Sequence, residues 1–186
     1  MPINGKKILY HGTSAYHKKI LLDQGRPFVD FGCGYYLTSD RRQASTWALR
    51  GSVDEAWVFE YSISEKINKE ILQLQLLECN MDWLDVILHY RIGLTIPDKV
   101  GWEDIDRYDI IYDRMADGNK ISTLISQYKN ACITKDKLLK KIQGTQNWNM
   151  SKDQYCFRSE KALHLLQRTK EYYFHDGKWE VDTVNE

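Results

Sequence analysis

The stretch DFGCGYYLTSD, residues 30–40, constrains the fold of this chain most, because it prescribes a loop, a strand and a helix start in succession. Gly32 and Gly34 permit the close backbone approach and unusual φ angles that a tight loop requires. The aromatic run that follows is typical of a short strand. Asp40 then predicts a helix N-cap, and Gln43 lies at the reciprocal position of a capping box.

Strand-like and helical segments succeed one another irregularly along the rest of the chain. Strands are predicted at residues 7–13, 35–39, 56–63, 109–113 and 153–157, followed by a hairpin over 170–181 that turns at Asp176-Gly177. Helices are predicted at residues 40–51, 66–91 with a break at Asn80, 118–129 and 134–142, and after Ser159, where Ala162, Leu163 and Leu166 recur. Because regular βαβ alternation is missing, the fold class is expected to be α+β.

The composition predicts a single domain without a dominant charge. A chain of 186 residues and 22.0 kDa is long enough for one core, so residues 1–186 are expected to form one domain, with a helical insertion at about 64–106. Twenty-six basic residues balance twenty-six acidic ones, which argues against a global positive field for nucleic acid. No apolar run is typical of a secretory signal or a membrane span, so no membrane contact is predicted.

The cysteines and histidines show no spacing that predicts a metal site. The four cysteines are Cys33, Cys79, Cys132 and Cys156. Reduced thiols are the simplest interpretation, and they fit a cytoplasmic location. Four of the histidines are interpreted as structural: His17, His89, His164 and His175.

Two aromatic and histidine-bearing segments are candidates for a ligand site, although each also has an ordinary structural interpretation. His11 and Gly12 lie where the first strand ends, which is a suitable place for a polar group that faces a ligand. A core histidine beside a turn glycine would show the same pattern. Tyr35 and Tyr36 point to opposite faces of their strand, so one ring can pack in the core. The other ring, opposed by Trp47 one helix downstream, would suit a flat aromatic carboxamide, but two core aromatics would look the same.

Together with DQYCF at 153–157, these segments resemble the ADP-ribosyltransferase superfamily, in the His-Tyr-Glu branch shared with the poly-ADP-ribose polymerases and diphtheria toxin. YHGT is similar to that branch's His-Gly-Ser/Thr motif, and FGCGYYLTSD to its Phe-Gly-x-Gly-x-Tyr segment. DQYCF resembles the strand that usually carries the catalytic Glu. The resemblance is closer still to a mainly bacterial family of such domains, through YHGT, DFGxGYYLT, QAxxWA, YDIIYDRMAD and QYCFRSEKAL, over most of residues 8–167.

The resemblance implies a fold of split antiparallel sheets, with NAD as co-substrate in the cleft between them. The implied NAD-binding residues are His11 at the adenosine-side ribose, the Gly12 backbone at the carboxamide, Thr13 at the nicotinamide ribose, Gly34 in the glycine loop, Tyr36 stacked on the nicotinamide, and Trp47 as second stacking aromatic. His11, Tyr36 and Gln154 would form the catalytic set. Asp117 also matches a family position, with a loop cap as an equal alternative.

Gln154 stands where the family usually has Glu. Gln keeps the hydrogen-bonding reach but loses the charge, and it cannot act as a general base. Asp153 is a poor substitute, because it should point to the other face of a regular strand. Elongation of an ADP-ribose chain is therefore not expected, whereas restoring Glu at 154 is expected to keep or raise hydrolysis of NAD.

The sequence accordingly predicts a mono-ADP-ribosyltransferase that modifies a macromolecular acceptor, which is a protein, RNA or DNA. Family habit would make it a bacterial toxin or defence effector, with a neutralising antitoxin-like protein as a further partner. Two alternatives stay open: an NAD glycohydrolase with water as the acceptor, and a catalytically silent module that binds NAD or ADP-ribose. The insertion at about 64–106 is the expected carrier of acceptor choice.

Overall fold

The computed structural model describes residues 3, 7–51, 54–63, 70–76, 79–97, 104–116, 120–145 and 152–184. Within them the chain is α+β, as predicted, with two four-stranded sheets and five α-helices. The strands are β1 (Ile8–Thr13), β2 (Tyr35–Leu37), β3 (Ala56–Ile63), β4 (Gln73–Gln75), β5 (Ile110–Arg114), β6 (Asp153–Phe157), β7 (Leu166–His175) and β8 (Lys178–Thr183). The helices are α1 (Arg41–Gly51), α2 (Met81–Ile92), α3 (Ile121–Lys129), α4 (Lys135–Thr145) and α5 (Glu160–Leu163).

The first sheet has the order β1-β3-β7-β8 and is antiparallel throughout. Its central strand β3 is buried on both faces, which explains its nearly continuous apolar sequence. Val58 packs with alanines of α1 on one face, whereas Phe59 and Tyr61 enter a core on the other. The predicted hairpin is confirmed: β7 and β8 are joined at Asp176 and Gly177, both with positive φ.

The second sheet has the order β2-β6-β5-β4. The pairs β2/β6 and β6/β5 are antiparallel, but β4 runs parallel to β5, so the expectation of purely antiparallel sheets is wrong for this pair. Parallel neighbours need a crossover, and α2 lies in the connection between these two strands. The indole Nε1 of Trp83 in α2 donates to the Arg114 carbonyl at 2.7 Å, which docks the helix against the end of β5.

The elements stack in layers around two main cores. One core lies between the two sheets and includes Leu9 and Phe59 from the first and Tyr155 and Phe157 from the second. The other covers the far face of the second sheet with helices α2, α3 and α4. Helix α1 packs on the far face of the first sheet.

The two sheets meet where β1 and β2 come together. Tyr10 and Thr38 exchange two backbone hydrogen bonds, with N···O distances of 2.8 and 2.9 Å. Helix α1 follows directly and lies so close to β1 that a Cβ at Gly12 would overlap the carbonyl oxygen of Ala44. This junction holds the ends of the first two predicted motifs beside each other.

The helix predicted over 66–91 is wrong for residues 73–75, which form β4. Helix α2 begins only at Met81, and the predicted break at Asn80 is its N-cap, whose side chain accepts from Trp83 N at 2.8 Å. Residues 64–69, 77–78 and 98–103 lie outside the described residues, so the insertion at about 64–106 stays a prediction.

Two smaller predictions also change. The helix capped by Ser159 ends at Leu163, so Leu166 opens β7 instead of continuing the helix. Asp40 does cap α1, accepting from Arg42 N at 2.8 Å, but Gln43 does not complete a capping box. Its amide donates instead to the carbonyl oxygen of Asp153 at 2.8 Å.

All four cysteines are free thiols, and Cys33 in the glycine loop is exposed. Among the helices in the described part of the chain, none combines the length and apolar character needed to cross a membrane.

Candidate functional site

A cavity of about 910 Å³ opens where the two sheets meet. It is lined by every predicted site residue that the structure describes: His11, Gly12, Thr13, Gly34, Tyr36, Trp47 and Gln154. Asp117 lies outside the described residues. The resemblance therefore selected residues that are distant in sequence but share one cavity.

His11 is held in a single orientation at the end of β1. Its Nδ1 lies 2.7 Å from the backbone carbonyl oxygen of Tyr36, which can only accept, so Nδ1 carries the proton. Burial lowers the pKa of His11 to about 3, so the ring is neutral near pH 7. The Nε2 atom is consequently a hydrogen-bond acceptor. The Tyr35 ring stacks on His11 with centroids 4.1 Å apart, which leaves the imidazole little freedom to turn.

Tyr36 is tied to the glycine loop through its hydroxyl. This group donates to the carbonyl oxygen of Gly32 at 2.8 Å and accepts from the N–H of Phe31 at 3.0 Å. Burial raises the pKa of Tyr36, so the phenol stays protonated. The loop and the ring therefore form one rigid unit.

Trp47 lies at the rim and is 36% exposed. The Arg50 guanidinium is 4.2 Å from the centroid of its ring and that of Arg26 is 5.8 Å away. Within the described residues Trp47 makes no ring contact with Tyr36, so the two line one cavity without forming a closed sandwich. Trp47 is therefore an aromatic side chain at the entrance whose ring contacts two arginine side chains.

Gln154 is 9% exposed and is fixed by a carboxylate. Its Nε2 donates to Oδ2 of Asp30 at 2.7 Å. The same Asp30 oxygen accepts from the N–H of Ala116 at 2.8 Å, and Oδ1 pairs with Nε of Arg91 at 2.7 Å. The Gln154 amide is thus locked to the neighbouring ion pair of Asp30 and Arg91.

Packing alone explains two of the site glycines. A Cβ at Gly12 would overlap helix α1, and one at Gly34 would lie 2.8 Å from the carbonyl oxygen of Phe157 in β6. Close packing of neighbouring elements within the chain therefore requires glycine at both positions, whatever ligand the cavity holds. The Thr13 hydroxyl forms a local turn with the backbone of Ala15 at 3.1 Å.

Asp153 points away from the position of Gln154, as expected. Its carboxylate accepts from the hydroxyl of Thr38 at 2.7 Å and from the N–H of Ser39 at 2.9 Å. These contacts fasten the end of β2 to β6. Asp153 is therefore a structural carboxylate beside the site.

Several residues that line the cavity were not predicted as site residues. His17, interpreted as structural, lines it with ring centroids 5.5 Å from His11, and its Nε2 lies 3.1 Å from the Tyr35 hydroxyl. Asp30 stands in the stretch DFGCG, directly before the glycine loop, which was the only available signal for it. Arg91 lies on α2, far along the chain, and nothing in the sequence marks it.

The cavity also concentrates positive charge. Four cationic side chains line it, against Asp30 as the only carboxylate among the described residues: Lys19, Arg26, Arg50 and Arg91. The net charge of the whole chain is zero, so the composition concealed this asymmetry. An anionic ligand would be favoured here.

Aromatic side chains at the rim add apolar surface. Tyr16 is 51% exposed and Phe28 is 72% exposed, and both line the cavity. In the described part of the chain, no group of three or more His, Cys, Asp or Glu side chains is arranged to hold a metal ion.

Residues 7–168 match the model of the family described as "Protein of unknown function (DUF3990)", and the chain belongs to that family. No curated protein and no solved structure matches the chain.

Proposed function

We propose that this chain is an ADP-ribosyltransferase that binds NAD in the cavity between its two sheets and transfers one ADP-ribose to a macromolecular acceptor. The observation that carries the proposal is the convergence of His11, Tyr36 and Gln154 on one cavity, from three segments of the chain. The meeting of two small sheets at β1 and β2 supports the proposal, because the resemblance implies a cleft between two split sheets.

The charges and the size of the cavity suit a dinucleotide. Arg26 and Arg50 form no ion pair with the described residues and flank Trp47 at the entrance, where they can bind a pyrophosphate. A volume of about 910 Å³ lies at the upper end of the range of about 300–1,000 Å³ that is usual for ligand pockets. The neutral His11 offers Nε2 as an acceptor for a ribose hydroxyl.

The reaction breaks the bond between the nicotinamide nitrogen and C1′ of its ribose. Nicotinamide leaves with the bonding electrons and becomes neutral, and positive charge develops on the ribose. An acceptor nucleophile then bonds to C1′ and releases its proton to solvent or to a base on the acceptor. The Gln154 oxygen would accept a hydrogen bond from a ribose hydroxyl, which stabilises the developing charge. Because an amide is not a base, one transfer rather than chain elongation is expected.

Two other functions use the same cavity. With water as the nucleophile, the protein is an NAD glycohydrolase. With Gln154 too weak to stabilise the charge, it is a silent module that binds NAD or ADP-ribose. The firm hydrogen bond between Gln154 and Asp30 gives this third function a specific basis, because it consumes one of the two polar ends of the amide.

Release of nicotinamide from labelled NAD, with and without cell lysate, distinguishes the three functions. Release that requires lysate, with label appearing on a macromolecule, supports the transferase. Release without acceptor identifies a hydrolase, and binding without release identifies a silent module. Failure of NAD to bind would overturn the proposal.

A further inference from the structure

Asp30 is the only carboxylate that lines the cavity within the described residues, and it is 4% exposed. Its two oxygens accept three hydrogen bonds, from Arg91, from the Ala116 backbone and from Gln154. The glycine loop, β6, α2 and the end of β5 are all tied to this one side chain. Such an arrangement fixes the neighbours of Asp30 as firmly as it fixes Asp30 itself.

We propose that Asp30 is a positioning residue, which orients the Gln154 amide so that the cavity receives its carbonyl oxygen. A carboxylate paired with Arg91 can only accept hydrogen bonds, so the Gln154 atom at 2.7 Å must be the nitrogen. The oxygen Oε1 is then the end of the amide that remains for a ligand. The inference rests on the proposed function for the identity of that ligand.

The Oε1 atom is available to a ligand. No described residue donates a hydrogen bond to it, and it is not among the fully buried side-chain atoms that lack a partner. A hydroxyl of a bound ligand can therefore donate to it. If the Gln154 amide were reversed, Nε2 would face the cavity instead of Oε1. The cavity wall would then offer a hydrogen-bond donor where it now offers an acceptor.

This geometry changes the expectation for Glu at position 154. In the wild type, the pair at 30 and 154 consists of one carboxylate and one amide. Gln154→Glu alone would set two carboxylates at a separation of about 2.7 Å, where like charges oppose each other. The single substitution therefore should not simply restore a family-type site. Combined with Asp30→Asn, it recreates a carboxylate and an amide with the roles exchanged.

Thermal unfolding of three variants tests the pairing without any ligand. Asp30→Asn and Gln154→Glu should each lower the melting temperature, by roughly 2–4 °C or more for a chain of this size. The double variant should melt above Gln154→Glu, because the new amide at 30 can donate to the new carboxylate at 154. If the two losses simply add in the double variant, the residues act separately and the proposal fails.

NMR spectra of the side-chain amide groups report the orientation of the Gln154 amide directly. The NH₂ signals of Gln154 are those absent from the Gln154→Glu spectrum. In the wild type their chemical shifts should differ from those of an exposed glutamine, and their hydrogens should exchange slowly with water, as expected for a buried amide bound to a carboxylate. Asp30→Asn should return the chemical shifts to those of an exposed glutamine. Signals of Gln154 that are already ordinary in the wild type would overturn the proposal.

Titration with NAD connects the orientation to the ligand. Asp30→Asn should weaken NAD affinity by about tenfold, the scale of losing one buried hydrogen-bond partner, and the double variant should recover most of that loss. If NAD affinity stays low in the double variant although its melting temperature recovers, Asp30 stabilises the fold without orienting the ligand-binding amide, and the proposal fails. If the wild type itself does not bind NAD, the proposed function fails, whereas the spectra and melting temperatures still decide the orientation.

Discussion

His11 and Tyr36 are joined by a hydrogen bond of 2.7 Å from the imidazole Nδ1 to the backbone carbonyl oxygen. The contact links the first strand of one sheet to the first strand of the other, 25 residues later. This single contact fixes the tautomer of His11, the position of the Tyr36 backbone relative to β1, and the junction of the two sheets. The two predicted motifs are therefore parts of one hydrogen-bonded unit.

The neutral imidazole of His11, which is partly buried in the cavity wall, should make folding sensitive to acid. The folded-state pKa of His11 is lowered to about 3 from the ordinary value of 6.5, so below pH 6.5 the unfolded chain binds a proton that the folded protein refuses. The stability contribution is present above pH 6.5 and is lost as the pH falls from 6.5 toward 3. Urea unfolding at several pH values should show a shallower decline for His11→Gln than for the wild type.

Burial also lowers the pKa of His17, so part of the decline should persist in that variant. His175→Gln is the matched control, because that side chain is 52% exposed at the hairpin turn. An equal loss of stability in acid for the wild type and for His11→Gln would contradict the assignment of a neutral His11 in the folded protein.

Gly12→Ala should destabilise the fold by about 1–3 kcal/mol or more, because the added methyl group overlaps the Ala44 carbonyl and backbone cannot yield cheaply. Gly144→Ala is the control: it lies in α4, and a Cβ there meets nothing within 4 Å. That change should be neutral or stabilising by up to about 1 kcal/mol. Denaturant unfolding measures both. Equal stability of the two variants would remove the packing explanation for Gly12.

The sequence predicted those parts of the fold that carry their own pattern. The bounds of β3 and β6 were predicted to the residue, because β3 is rich in aromatic and β-branched residues and β6 turns from a polar pair to an apolar run. Strand β4 was missed, since its three residues QLQ contain one apolar side chain and form a strand through tertiary pairing with β5. No local signal distinguishes such a strand from a turn of helix.

The site was predictable to the extent that its motifs are local. His11, Tyr36 and Gln154 came from a resemblance between short segments, and the cavity does bring them together. The contact between Asp30 and Gln154 spans 124 residues, and Arg91 reaches Asp30 from a helix whose sequence signals only burial. Contacts of this kind are formed only by tertiary packing, so no pattern of residue spacing in the sequence predicts them.

Tyr36→Ala should weaken NAD binding by roughly 1–3 kcal/mol, the scale of losing one aromatic that stacks on a base. Tyr36→Phe keeps the ring but loses the hydrogen bonds to Gly32 and Phe31, so it should keep most of the affinity while losing about 1 kcal/mol of stability. Calorimetry and urea unfolding separate the two effects. Equal NAD affinity in the wild type and Tyr36→Ala would show that the ring does not contact the ligand.

Arg50→Ala should weaken NAD binding by about 1.5–3 kcal/mol if the guanidinium binds the pyrophosphate. The salt dependence of the affinity should also become less steep. Arg42→Ala, on the exposed side of the same helix and away from the cavity, should leave the affinity unchanged. Titrations at two salt concentrations test this, and identical behaviour of the two variants would place the anion elsewhere.

Gln154→Ala should reduce the turnover of NAD by about two to three orders of magnitude and leave NAD binding largely intact, if the protein is a transferase or a hydrolase. A contact that strengthens as charge develops on the ribose affects the rate more than the ground-state affinity. Gln127→Ala, on α3 and outside the cavity, controls for general damage. Nicotinamide release with lysate and NAD titration are measured on all three proteins. A silent module shows binding but no release in any of them, and robust release that Gln154→Ala does not reduce would remove Gln154 from the catalytic set.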